Sequence, residues 1–236
     1  MIGQNDGRNF LKLYELVGRD KNIGFSPFVW RVKLALAHKG LTYETVPLRF
    51  TEIKDILSFA SSSTVPVLVD GNNVISDSWE IICYLEETYP NHPSIFSDHH
   101  AAKLFNFQMG MPLLAPLFRT IVSDIYSVIH DMDKDYFRTS REARIGCTLE
   151  EAAKDYEQSF STFKANLAPY SQFFKREQYI GGAGPSYQDY ALYAMFLWAR
   201  ATSDKKLFED DDPLTAWIVR MDKTCNGIGA KLKKIE

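Results

Sequence analysis

The hydrophobic period changes once along this chain, and that change limits its fold more than any other feature. Before Pro90, short strand-like runs alternate with helical ones; beyond His99 no strand pattern recurs. Residues 10–17, FLKLYELV, read as a strand, and the polar residues 18–24 as a loop. Ser26-Pro27 opens a helix, Ser as N-cap and Pro at the first position, and Gly40 stops it. Val29, Val32, Leu34, Leu36 and Ala37 make that helix largely buried. Residues 43–48 read as a second strand, 52–59 as a short helix and 65–69 as a third strand. Asp70-Gly71-Asn72-Asn73 is a hairpin turn into a fourth strand at 74–76. Asp77 or Ser78 then caps a helix running to about Tyr89. A helix between the first two strands implies a parallel pair, and the tight turn an antiparallel one. The expectation is a mixed four-stranded sheet carrying three helices, in the order βαβαββα.

Residues 90–99, with two prolines and polar neighbours, read as an interdomain linker, giving domains at 8–90 and 99–236. The second domain is expected to be all-helical, with segments at 99–130, 141–168, 186–202 and 213–224. Pro112 and Pro116 must kink or break the first. Ser186-Tyr187-Gln188-Asp189 is a capping box with Asp in place of Glu, ahead of an apolar run. Asp131, Asp133, Asp135 and Glu142 mimic part of a calcium loop, but Tyr136 stands where glycine is needed, so a solvated charged loop is expected. His99-His100 reads as a surface pair at a helix start, and no metal site is expected. Gly182-Ala183-Gly184 lacks the context of a dinucleotide loop.

At 236 residues the chain suits two modest domains, and 45% hydrophobic content supplies their cores. A net charge of −3 with no long basic run argues against nucleic acid and anionic membranes as partners. Cys83, Cys147 and Cys225 are odd in number, far apart and free of CxxC spacing, which fits a reducing compartment. With no signal pattern and no 18-residue apolar run, the expected location is cytoplasmic. Aromatics at 14% fill cores first, and a surplus suits a pocket for flat apolar ligands.

Three short stretches carry chemistry. Ser26 is a helix N-cap, and its hydroxyl also sits in the positive field of the helix start, where a bound thiol is drawn toward thiolate. Val65-Pro66 precedes a strand; the proline is a strand-edge residue, or a cis-proline that exposes the Val65 backbone to an extended peptide. Asp77-Ser78 is another N-cap, or a pair that receives an ammonium and a carboxylate together.

Taken jointly, the βαβαββα order, Ser26-Pro27-Phe28, Val65-Pro66, Asp77-Ser78 and the Ser186–Asp189 box resemble the cytosolic glutathione transferases, over nearly the whole chain. The resemblance implies a thioredoxin-like domain followed by a helical domain, with glutathione as co-substrate. SPFVWRVKLALAHKGL, STVPVLVD and SDSWEIICYLEETYP are most similar to the serine-type β-etherase-related branch of fungi and bacteria. The family pattern makes Ser26 the catalytic hydroxyl, with Val65 and Pro66 alongside the cysteinyl backbone. It puts Asp77 and Ser78 at the γ-glutamyl end and Lys54, with Arg49 as second choice, at the glycyl carboxylate. Phe28, Trp30, Phe105, Met109, Pro112 and Leu113 are candidates for an apolar site between the domains, or for core. Where disulfide-reducing relatives carry Cys, this chain has Ser26, which forms no mixed disulfide. The resemblance implies conjugation of glutathione to aromatic electrophiles, or cleavage of aryl ethers, by a homodimer. A non-catalytic carrier of phenolic or other aromatic small molecules is the alternative, and a transferase-like assembly domain ranks third.

Overall fold

A computed structural model describes residues 11–236, so Phe10 and the start of the first domain at residue 8 lie outside the described residues. The first domain runs β1 (Leu11–Leu16), α1 (Pro27–Lys39), β2 (Tyr43–Leu48), α2 (Ile53–Ile56), β3 (Val67–Asp70), β4 (Asn73–Ser76) and α3 (Ser78–Thr88). The sheet order is β2-β1-β3-β4. β1 pairs β2 in parallel, with Leu13 opposite Thr45, and pairs β3 antiparallel, with Leu13 opposite Leu68. This is the mixed sheet the alternation predicts, because Leu11 and Leu13 face the core while Lys12 between them faces solvent. The helix expected over 52–59 is one turn of α2 continued by a tighter turn, Leu57–Ala60.

The second domain contains α4 (His99–Gln108), α5 (Ala115–Val128), α6 (Lys134–Ile145), α7 (Leu149–Lys154), α8 (Tyr156–Phe174), α9 (Tyr187–Thr202) and α10 (Pro213–Met221). The expected helix at 99–130 is interrupted by a wide π turn at Gly110–Leu114, which accommodates Pro112. The expected helix at 141–168 is three helices. Gly146 ends α6 at φ 75, and a Thr148–Glu151 capping box restarts the chain as α7. Residues 131–140 are not a solvated loop: α6 begins at Lys134, and Asp133 is fully buried.

Nearly every side chain of α9 is buried, so this helix is the axis of the second domain. Its box residue Asp189 accepts from the backbone N–H groups of Ile180, Gly181 and Ser186 and from the Trp217 indole. Burial still raises its carboxyl above the ordinary value. One apolar core runs through both domains.

The linker is tied down rather than loose. Lys39, almost wholly buried, pairs with Glu86 at 3.2 Å and donates to the Tyr89 carbonyl. His38 donates from Nε2 to the Ser94 carbonyl and accepts from the Tyr190 hydroxyl at Nδ1, joining α1, linker and α9. Burial first, with Lys39 nearby, lowers the His38 pKa, so the neutral ring belongs to the folded state. The unfolded state therefore binds the proton more readily, and stability falls as pH drops through the unfolded value of about 6.5. Thermal unfolding between neutral and mildly acidic pH should show this loss in the wild type and a flatter profile in His38→Gln. Identical profiles would remove His38 from the account.

Candidate active site

The site is built on the start of α1. Ser26 caps it with extended backbone, its carbonyl accepting the Trp30 N–H at 3.0 Å and its Oγ accepting the Val29 N–H at 3.5 Å. No described residue accepts the hydroxyl hydrogen, which is left free to donate. The approach is rigid: the Trp30 indole donates to the Gly24 carbonyl at 2.9 Å. A Cβ on Gly24 would lie 1.6 Å from Glu15 Oε2, so any larger residue there must displace the Glu15 side chain.

Of the other two stretches, one precedes β3, an inner strand of the sheet, and the other opens α3, which packs against α1. Val65-Pro66 is a cis peptide just ahead of β3, and neither backbone group of Val65 is hydrogen-bonded among the described residues. Asp77 holds φ 74, a strained conformation for a non-glycine residue, and its Oδ1 accepts from the Trp79 and Glu80 N–H groups. It is Asp77, not Ser78, that caps α3, and this places the buried Ser78 in the first turn. Lys54 is exposed on α2, and Arg49 is half-buried one turn earlier with its Nε unpaired among the described residues.

The apolar candidates divide in two. Trp30, Met109 and Leu113 belong to the core, and Met109 Sδ accepts from the Arg31 guanidinium at 3.2 Å. Phe28, 42% exposed, and Pro112 are open to a ligand, and Phe105 is half-buried with its ring edge-on to Tyr170 at 6.2 Å. A cavity of about 310 Å³ lined by Cys83, Glu86, Phe96 and His99 includes none of the predicted site residues. Burial and the carboxylates of Glu80 and Glu87 push the Cys83 thiol up to about 11, so it is no nucleophile at neutral pH. No group of three metal-ligating side chains forms among the described residues. No helix there is long and apolar enough to cross a membrane.

Residues 25–88 match the family model "Glutathione S-transferase, N-terminal domain", and residues 101–221 match "Glutathione S-transferase, C-terminal domain". The chain belongs to the glutathione S-transferase family. A zeta-class glutathione S-transferase of Euphorbia esula is 45% identical over 83 residues, 34% of this chain and 36% of its own. Glutathione S-transferase Z1 of Arabidopsis thaliana is 39% identical over 108 residues, 44% and 45% of the two chains. The chain therefore spans between 36% and 45% of the length of these curated relatives. A glutathione transferase of Phanerochaete chrysosporium shares the fold at TM-score 0.81 and 21% identity, over 90% of this chain and 96% of that one. A Ceriporiopsis subvermispora glutathione S-transferase solved in complex with glutathione matches at TM-score 0.76 and 20% identity, over 95% of each chain.

In this glutathione S-transferase family member, sequence reasoning missed Arg31. It lies between the buried Trp30 and Val32 of α1 and is itself buried. Its guanidinium donates at 3.0 Å to Asn106 Oδ1 on α4, which also accepts the Tyr187 hydroxyl at 2.6 Å. Burial lowers the Arg31 pKa and pushes Tyr187 up to about 12, while Asp77 acts on Arg31 through its charge. A charged residue inside the apolar stripe of α1 was the available signal. Asn106→Leu removes the acceptor shared by two buried donors and should cost about 2–4 kcal/mol, measured by denaturant unfolding, whereas Asn106→Asp should cost far less. Equal losses for the two variants would contradict the shared-acceptor role.

Proposed function

We propose that this chain is a glutathione-dependent transferase in which Ser26 holds the tripeptide's sulfur as a thiolate. The observation that carries the reading is the Ser26 hydroxyl at the mouth of α1, its oxygen already engaged by Val29 and its hydrogen free to donate. An anion there meets the positive end of the α1 dipole, and the thiol proton leaves to solvent. Val65 pairs with the cysteinyl backbone as an added strand would, Pro66 fixes its presentation, and Asp77 and Ser78 receive the γ-glutamyl ammonium and carboxylate. Lys54, with Arg49 beside it, takes the glycyl carboxylate.

The thiolate attacks an electrophilic carbon of an aromatic or aryl-ether substrate. A carbon–sulfur bond forms as the leaving group departs with its electron pair, a phenolate in the ether case. Catalysis here is nucleophile activation plus positioning, with Phe28, Phe105 and Pro112 as the accessible apolar contacts. The serine at position 26 and the quoted stretches support placement in the β-etherase-related branch. A relative in Caenorhabditis elegans is named a probable maleylacetoacetate isomerase, 43% identical over 72 residues, so glutathione-dependent isomerisation is the competing use of the same thiolate.

Carriage of aromatic ligands without turnover is the second reading, favoured by the exposed Phe28 ring, which lies 4.9 Å from the Arg31 guanidinium. A homodimer is the assembly the family implies, and the exposed Leu104 and Phe107 give α4 an apolar face for a second copy.

Ser26→Ala should lower turnover of an activated aryl chloride by about 10–100-fold, the worth of one hydrogen bond to an anion, while glutathione affinity changes little. Undiminished turnover sinks the serine role. Displacement of an apolar dye by phenolics at negligible conjugation rates would favour carriage instead.

A further inference from the structure

The side chain of Asp133 is fully buried, yet among the described residues it pairs with no cation. Its carboxylate instead accepts three hydrogen bonds from the turn that follows β2. The Phe50 N–H donates at 3.2 Å, the Thr51 N–H at 3.0 Å and the Thr51 hydroxyl at 2.8 Å. Asp133 belongs to the helical domain, on a single tight turn, Asp131–Asp133, ahead of α6. Phe50 and Thr51 lie between Arg49 and Lys54, the two cations nearest in sequence to that turn. The Phe50 ring is held as well: it meets Phe25 edge-on at 6.1 Å and Phe137 at 5.5 Å. The Arg141 guanidinium lies 5.0 Å from the Phe50 ring centre and 5.1 Å from that of Phe137. Phe25 is the residue before Ser26, so one continuous contact runs from α6 through Phe50 to the mouth of α1.

Arg49 Nε supplies an independent observation. It is buried and unpaired among the described residues, next to the clamped turn. A guanidinium nitrogen kept from water without a protein acceptor is suited to an anionic ligand group, since leaving it unmatched is costly.

We propose that Asp133 is a positioning residue for the glycyl-carboxylate end of the bound tripeptide. It acts through the backbone of Phe50 and Thr51, which holds Arg49 and Lys54 in place before the ligand arrives. Without the three bonds, binding must also order this turn, and affinity falls by that amount. The loss is confined to ligands that reach the turn. A thiol peptide lacking the glycyl residue still contacts Ser26, Val65, Asp77 and Ser78 and is indifferent to the clamp. This inference rests on the glutathione reading above.

Calorimetry with glutathione and with γ-glutamylcysteine, on the wild-type full chain and on Asp133→Asn and Thr51→Val, tests it. Asp133→Asn sets an amide donor against backbone donors. Thr51→Val removes one bond of the three and leaves the backbone pair, so it carries the test if the first variant does not fold. The glutathione Kd should rise about five- to ten-fold in Asp133→Asn and about two-fold in Thr51→Val, with the γ-glutamylcysteine Kd unchanged within about two-fold. An equal rise for both peptides, or no change for either, overturns the clamp and leaves the glutathione reading standing. A wild-type chain that takes up neither peptide overturns both.

Discussion

The start of α1 is the constraint from which the rest follows. Pro27 fits the first helical position, where a missing N–H costs nothing. Gly24 is pressed against Glu15, and the Trp30 indole bonds back to the Gly24 carbonyl, so the chain enters the helix along one path. These local contacts put a serine hydroxyl at the positive end of a helix with most of its surface already out of water. In the proposed function, a thiol brought there is stabilised as an anion by groups that need no rearrangement, which is where preorganisation is most effective.

The helical domain supports this arrangement as well as covering it. Asn106, itself fixed by the Tyr187 hydroxyl, holds Arg31 on α1, Tyr190 holds His38 at the far end of α1, and Asp133 holds the turn after β2. Each tie ends on an element that carries a predicted ligand-binding residue. Family membership accounts for the sheet and the helix starts, and the contacts across the two domains are particular to the residues of this chain.

The elements of the first domain were legible because their signals are local. Ser26-Pro27, Gly40 and Asp70-Gly71 act through φ, capping and turn geometry within a few residues, and all fall where the sequence places them. Asp133 was illegible for the opposite reason. Four nearby acidic residues read as a solvated loop, and only a partner 82 positions earlier turns one of them into a buried acceptor. The same holds for the helix expected over 141–168: Gly146 and the Thr148 box were visible in principle, but periodicity across them masked the breaks. Of the apolar candidates, spacing could not separate core from cavity wall. Met109 and Leu113 face inward and Pro112 outward because a π turn resets the helix phase between Gly110 and Leu114.

The most direct measurement is a crystal structure of the chain with glutathione bound. The sulfur is expected within about 3.5 Å of the Ser26 Oγ, at the mouth of α1, with the cysteinyl backbone alongside Val65. A sulfur that settles against any other group, with Ser26 left facing water, would contradict it.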